Sequence, residues 1–242
     1  MFRTLLVYAF VILYVLIVGP SLLLASAITG NTKTLYAASL LGAQMAFRLG
    51  GVKVVVTGRE KIPAGRAVVF MPNHQSNCDP PALAANLPPL LFMAKKEFFH
   101  VPILGSGMRR LGFIPVDRAN REQAFAAVDQ AIAALKAGHS FLVFPEGTRS
   151  RTGRLQPFKK GVFFMAIKAG APIVPVSVSG GGRIMRKGDF RIHPGQVRIT
   201  LHEPITTDGC TPADRAGVMM QVRRAIASGL SPDERPIEPE PA

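Results

Sequence analysis

No tryptophan occurs among the 242 residues, and there are only two cysteines and three tyrosines. The cysteines, Cys78 and Cys210, are far apart and belong to no CxxC or Cys/His cluster, which argues against a disulfide framework and a structural zinc site. That usage fits a reducing, cytosolic environment. Acidic residues are scarce too: 15 Asp and Glu stand against 29 Lys and Arg, a formal charge of +14. Such an excess attracts nucleic acid, an anionic membrane or phosphorylated small molecules. A nucleic-acid binder usually interleaves its basic residues with stacking aromatics, so the missing tryptophan and a hydrophobic fraction of 48% argue against that class. A membrane surface moves ahead.

Charge is absent altogether from residues 4–28, and residues 5–18 are almost wholly apolar, which reaches the ~20 residues needed to cross a bilayer core. A cleaved signal peptide fits poorly: the apolar run is long, only Arg3 supplies a basic flank, and the basic remainder is ill suited to export. A second apolar stretch, residues 35–49, carries Tyr36, Leu40, Leu41, Met45 and Phe47 and stops at Arg48 before Gly50-Gly51. It is too short and too polar to span alone. Two arrangements follow: a single span with an interfacial second helix, or a hairpin that dips into one leaflet and returns. Pro20 favours a bend. Lys33, Arg48 and Lys53 suit a hairpin facing anionic headgroups, with the N-terminus and the following domain both on the cytosolic side of the cytoplasmic membrane.

Beyond Gly51 the pattern changes to short β-rich runs separated by helical stretches. Residues 52–56, 67–71, 90–93, 113–116, 141–144, 173–178 and 197–201 read as buried or half-buried strands. Residues 121–136 carry Ala124, Phe125, Val128, Ala131, Ile132 and Leu135 as one helical stripe ended by Gly138, and residues 160–169 and 212–228 read as further helices. The alternation predicts an α/β fold with a mixed β-sheet flanked by helices. The expected organisation is membrane-embedded helices over residues 1–50, an α/β domain over 51–230 and a disordered tail over 231–242, where four acids and four prolines fall together.

Two segments carry candidate chemistry. In NHQSNCDP, His74 and Asp79 are five residues apart, so they meet only if a turn brings the carboxylate back under the imidazole; Ser76, Asn77 and Pro80 supply turn chemistry. A carboxylate accepting from Nδ1–H fixes the tautomer and leaves Nε2 free to take a proton from an alcohol. By spacing alone, a turn histidine with a helix-capping aspartate before Pro80 is the commoner arrangement. In FLVFPEGTRS, the Arg149 guanidinium, the Thr148 hydroxyl and the amides around Gly147 make a phosphate cradle, while Glu146 reads as a brace for a cation or a backbone amide. A solvated surface turn has the same composition. No G-x-S-x-G nucleophile elbow occurs, so an acyl-enzyme is not expected.

NHQSNCDP, then KKEFFHVPILGSGMRRLGFIPVDR, then FPEGTRS, then APIVPVSVSG, in this order, resemble the glycerolipid acyltransferase family, most closely the 1-acyl-sn-glycerol-3-phosphate acyltransferases. The four blocks occupy most of residues 72–180. The resemblance implies a glycerol-3-phosphate acyltransferase-like fold behind an N-terminal membrane segment. It implies His74 as general base and Asp79 as its orienting carboxylate. Lys95 and Arg118 are carried over as acceptor-binding cations, and Glu146, Gly147, Thr148 and Arg149 as the phosphate-recognition turn. The fourth block, with Pro172 and Pro175 at the ends of its core, reads as a structural strand. Pro115 departs from the family pattern and puts local strand pairing in doubt. The implied reaction moves a fatty acyl group from acyl-CoA or acyl carrier protein to the sn-2 hydroxyl of lysophosphatidic acid, forming phosphatidic acid in phospholipid biosynthesis. The same chemistry on glycerol 3-phosphate, a lyso-ornithine lipid or another lysophospholipid is the alternative; a basic membrane-anchored scaffold or nucleic-acid-binding protein is the non-enzymatic one. The expected partners are an anionic membrane surface, the lysophospholipid and, as one candidate donor, acyl carrier protein. Neither a tightly bound cofactor nor a metal is expected.

Overall fold

The computed structural model describes residues 1–117 and 120–237. Seven strands form one sheet: β1 (Val52–Thr57), β2 (Val69–Pro72), β3 (Leu90–Lys95), β4 (Ile114–Val116), β5 (Ser140–Leu142), β6 (Ile173–Ser179) and β7 (Gly195–Leu201). Their order is β1-β7-β6-β2-β5-β3-β4, and every pairing is parallel except that of β6 with β7. Among the described residues, the α-helices are α1 (Phe2–Thr29), α2 (Lys33–Leu49), α3 (Asp79–Ala84), α4 (Leu104–Arg110), α5 (Arg121–Lys136), α6 (Lys160–Ala169), α7 (Gly181–Ile184) and α8 (Arg215–Ser228).

The sheet is buried on both faces, and side-chain alternation explains how. Val69 and Met71 of β2 join Ala131 of α5, Phe163 of α6 and Val222 of α8 on one side. Val68 and Phe70 point the other way, to Leu83 of α3, Ile184 of α7 and Val176 of β6. A strand covered on both faces reads as a continuous apolar run, which is why these segments stand out in the sequence.

Several expectations need correction. Phe125 does not share the buried stripe of α5; it is exposed. Strand β5 stops at Leu142, leaving Val143 and Phe144 to lead into the following turn. Helix α8 starts at Arg215, because the Asp214 carboxylate ties down the amide (2.7 Å) and hydroxyl (2.8 Å) of Thr211 ahead of it. Pro115 does not disturb pairing: β4 is an edge strand, and Pro115 sits opposite Ala94 where no further neighbour needs its missing N–H. Pro175 lies inside β6, not at its end, and just precedes the antiparallel ladder that begins at Val176↔Leu201.

Residues 231–237 are not a disordered tail. Glu234 is buried; its carboxylate accepts the amides of Gly180 (2.8 Å) and Ser231 (3.3 Å), and its carbonyl accepts the amide of Leu155 (2.9 Å). Acids and prolines suggest a solvated segment only when no backbone donors wait for the acid, and here two do. Residues 238–242 fall outside the described residues.

The two N-terminal helices form an antiparallel hairpin. Gly30 reverses the chain in a left-handed conformation (φ 71°) that closes α1 with a bond to the Ser26 carbonyl (3.0 Å). The Tyr14 hydroxyl donates to Ala38 (2.9 Å), and Gly42 leaves room for that ring: a Cβ there would lie 2.6 Å from it. Pro20 sits within one uninterrupted helix. Helix α1 also docks along its length. Thr4 accepts the Ile192 amide (3.1 Å), Tyr8 donates to the Phe190 carbonyl (3.0 Å), Gly19 abuts Ile103, and the Ser26 carbonyl accepts from Arg110. Its other side is left bare, with Leu5, Ile12, Leu16, Ile17 and Leu24 exposed.

Candidate active site

In an open, largely parallel sheet the carboxyl ends of the strands face one edge, where ligands are commonly bound. Here that edge collects all four motif blocks. Strand β2 ends at Asn73-His74, β5 leads to Phe144 and Glu146, β3 ends at Lys95, β4 at Asp117 and β6 at Gly180. Asn73 locks the first to the last: its side chain donates to the Val178 carbonyl (2.8 Å) and accepts the Val178 amide (2.7 Å).

His74 and Asp79 meet. Nδ1 of His74 lies 2.9 Å from Oδ2 of Asp79. The return is made by the turn itself, since the same Oδ2 accepts the amides of Gln75 (2.7 Å) and Ser76 (2.7 Å), and the Ser76 hydroxyl accepts the Cys78 amide (3.1 Å). Asp79 opens α3, but it folds back on its own turn and does not cap a helix. An oxygen that already accepts two amides is an acceptor toward the ring as well, so Nδ1 carries the proton and Nε2 is the basic nitrogen. Asp79 is fully buried, whereas the His74 side chain retains 15% exposure, so the imidazole alone is open to a substrate. Phe144 stacks on the ring at 3.8 Å between centroids and fixes its plane. Cys78, beside the aspartate, is buried with its thiol pushed up to about 11 by desolvation, which makes it a poor nucleophile.

Glu146 is a brace, not a phosphate contact. One carboxylate oxygen accepts the His74 amide (2.7 Å); the other accepts the amide (3.1 Å) and side chain (2.8 Å) of Gln156. It is buried, and desolvation raises its pKa to about 7 against the lowering effect of those donors. Both oxygens are consumed inside the protein, so the carried-over role in phosphate binding does not fit this residue. Gly147, in a left-handed conformation (φ 71°), turns the chain outward to Thr148 and Arg149. Among the described residues, the Arg149 guanidinium has no hydrogen-bond or ion-pair partner, and neither do the amides of Thr148 and Arg149. The Ser150 amide returns to the His74 carbonyl (2.8 Å), which joins the cradle to the dyad.

Lys187, which no sequence pattern marks, donates to the Thr148 hydroxyl (3.0 Å) and the Arg149 carbonyl (2.8 Å), adding a cation to that turn. Lys95 stands on the same sheet edge, exposed and paired with Glu97 (3.0 Å), while Lys96 pairs with Asp117 (2.5 Å). Arg118 lies outside the described residues. The amides of His74, Gln75 and Ser76 are all taken up by Glu146 and Asp79, so they are not oxyanion donors. No three His, Cys, Asp or Glu side chains gather as a metal site among the described residues.

Fold and site together set a histidine–carboxylate pair with one free ring nitrogen beside a turn that carries cations and open amides. Comparison with known proteins gives that arrangement its family: the family model described as Acyltransferase matches residues 53–179, and the chain belongs to this family. The chain is 37% identical over 155 residues to the chloroplastic 1-acyl-sn-glycerol-3-phosphate acyltransferase BAT2 of Brassica napus, an alignment covering 63% of this chain and 45% of that one. It is 30% identical over 192 residues to a 1-acyl-sn-glycerol-3-phosphate acyltransferase of Limnanthes alba, covering 78% and 67%. The chain spans about half the length of the Brassica, Chlamydomonas and Arabidopsis relatives it matches. A crystal structure titled as the 1-acyl-sn-glycerophosphate (LPA) acyltransferase PlsC of Thermotoga maritima superposes with a TM-score of 0.80 at 32% identity, covering 94% of each chain.

Proposed function

We propose that this enzyme acylates the sn-2 hydroxyl of lysophosphatidic acid, using acyl-CoA or acyl carrier protein as donor. The observation that carries the reading is the dyad: an imidazole with Nδ1–H committed to a buried carboxylate and Nε2 left basic, next to a turn whose arginine has no partner among the described residues. His74 Nε2 takes the hydroxyl proton as the oxygen attacks the thioester carbonyl carbon. Asp79 stabilises the imidazolium so formed. When the tetrahedral intermediate collapses, the C–S bond breaks and the imidazolium returns its proton to the leaving thiolate. Arg149, with Thr148, Lys187 and the neighbouring amides, receives the acceptor phosphate by bidentate, charge-assisted hydrogen bonds. The relatives named as 1-acyl-sn-glycerol-3-phosphate acyltransferases support this acceptor over a lipid without phosphate.

The docking of α1 supports a hairpin seated in one leaflet, and the scarcity of cysteine together with the proposed thioester donor favours the cytosolic face for the catalytic domain. Contacts with the domain run from Thr4 to Ser26, about 33 Å along the helix axis at 1.5 Å per residue. A span perpendicular to the membrane would carry Arg110 and the segment around Arg191 across the hydrocarbon core, which a bilayer opposes. Laid along the interface, α1 turns its bare apolar side to lipid and keeps the site at headgroup level. The test is transfer of labelled acyl groups by purified protein to lysophosphatidate, glycerol 3-phosphate and a lyso-ornithine lipid, with both thioester donors. Preference for lysophosphatidate is expected; comparable rates on the phosphate-free lipid would overturn the acceptor assignment.

A further inference from the structure

The Asp79 side chain is half secured. Its Oδ2 accepts three donors, but Oδ1 is buried with no hydrogen-bond partner among the described residues. What meets Oδ1 is Gly181: a Cβ built there would lie 2.4 Å from it. The carboxylate therefore rests on a bare glycine backbone, and its position follows that of the turn at residues 180–182. This turn has little freedom of its own. Gly180 is left-handed (φ 88°) and so close to β7 that a Cβ would fall 2.4 Å from the Gln196 carbonyl, while Gly182 donates to the Gln75 side chain (3.3 Å).

One residue grips the turn from behind. Glu234, buried in the segment after α8, accepts the Gly180 amide through its side chain (2.8 Å). Its main chain reaches the other half of the site, since the Glu234 carbonyl accepts the Leu155 amide (2.9 Å). Leu155 precedes Gln156, which donates twice to Glu146, which in turn accepts the His74 amide. The segment is fastened around it by Arg183 to Asp233 (2.9 Å), Arg154 to the Arg235 carbonyl (3.1 Å) and the Ser179–Ser231 hydroxyl pair (2.9 Å).

We propose that Glu234 is a positioning residue for acyl transfer, holding Asp79 through the glycine turn and His74 through Leu155, Gln156 and Glu146. It touches no reacting atom. Its effect is on the geometry of the Nδ1–H···Oδ2 bond, which sets where Nε2 stands. The kinetic side of this proposal rests on the acyltransferase reading above; the geometric side does not.

The test compares Glu234→Ala, Glu234→Gln and Gly181→Ala in the full-length protein, following melting temperature, kinetics and the proton NMR resonance of His74 Nδ1–H. Small misplacements of reacting groups lower turnover steeply, so Glu234→Ala is expected to lose kcat by about tenfold with both KM values within about twofold. Glu234→Gln keeps an oxygen for Gly180 and should recover most of that loss. In an Asp79→Asn background, Glu234→Ala should add little, because both changes act on one device. Gly181→Ala, whose Cβ drives Oδ1 aside, should move the Nδ1–H resonance and lose about 100-fold in kcat, and it carries the test if Glu234→Ala fails to fold. Full additivity with Asp79→Asn, or an unmoved resonance in Gly181→Ala and Glu234→Ala, overturns the proposal. If wild-type protein transfers nothing to lysophosphatidate, the functional reading falls, and the resonance still decides the geometric claim.

Discussion

His74 and Asp79 lie where nearly every polar atom has an internal partner, whereas Lys95 and Glu97, on the same sheet edge, pair with each other in solvent. The Asp79 side chain is fully buried and that of Lys95 is 57% exposed. The contrast separates two tasks. In the proposed reaction, proton transfer depends on distance and tautomer, which suits groups immobilised even at a desolvation cost; charge recognition tolerates movement, which suits a hydrated side chain such as that of Lys95. Arg149 stands between these regimes, half-buried yet without a partner among the described residues.

Four measurements sharpen that contrast, and the largest effects fall on the buried side. His74→Ala should lower kcat by roughly 100-fold or more with fold and membrane binding retained, since it removes the proposed general base. Wild-type turnover in this variant would place the chemistry elsewhere. Arg149→Ala should raise the acceptor KM by about tenfold and leave the donor KM nearly unchanged, which corresponds to losing a charge-assisted hydrogen bond. Lysine at this position should restore only part, because an ammonium keeps the charge and loses the fork. Equal damage to both constants would make Arg149 structural.

Glu146 gives an effect of intermediate size that is read in stability. Its carboxyl titrates near 7 in the fold because burial disfavours the charged form, above the ordinary 4.5. A raised pKa means that stability is fully present below about pH 4.5 and is lost as pH rises through 7, when the fold must hold a charge that the unfolded chain holds more easily. Melting temperature followed from pH 4.5 to 8 should therefore decline in wild type relative to Glu146→Gln; parallel profiles would remove the buried charge from the account. The smallest change is expected from Lys95→Ala. An exposed ion pair contributes little, so melting temperature should hold and the acceptor KM rise by no more than about threefold. A loss as large as that of Arg149→Ala would mean that Lys95 belongs to the cradle itself.

The sequence revealed what repeats or what runs. All seven strands and the long helices were legible because Val, Ile and Phe recur at the spacing of a doubly covered sheet or a helical stripe. Helices α3, α4 and α7 were not, since four to seven residues rich in Gly or Pro leave no periodicity to read. At the site, the turn residues made a His74–Asp79 contact possible, but spacing alone favoured a helix-capping aspartate and only the family resemblance pointed to the pair; the bracing reading of Glu146 from its chemistry agrees with its bonds better than the role that resemblance suggested. Lys187 and Glu234 were not legible. Each acts on backbone atoms 38 to 54 residues away, and an isolated lysine or an acid among prolines looks the same whether it is solvated or clasped.

The docking of α1 bears on how this protein can be handled and altered. A helix tied to the body at Thr4, Tyr8, Gly19 and Ser26 is a wall of the enzyme as well as its anchor. Deleting the hairpin to obtain a water-soluble fragment would strip the cover from Ile103 and Ile192 and free the Arg110 side chain of its carbonyl partner. Such a fragment is expected to aggregate. Replacing only the exposed Leu5, Ile12, Leu16, Ile17 and Leu24 with polar residues keeps that wall intact and is the route to a detergent-free form.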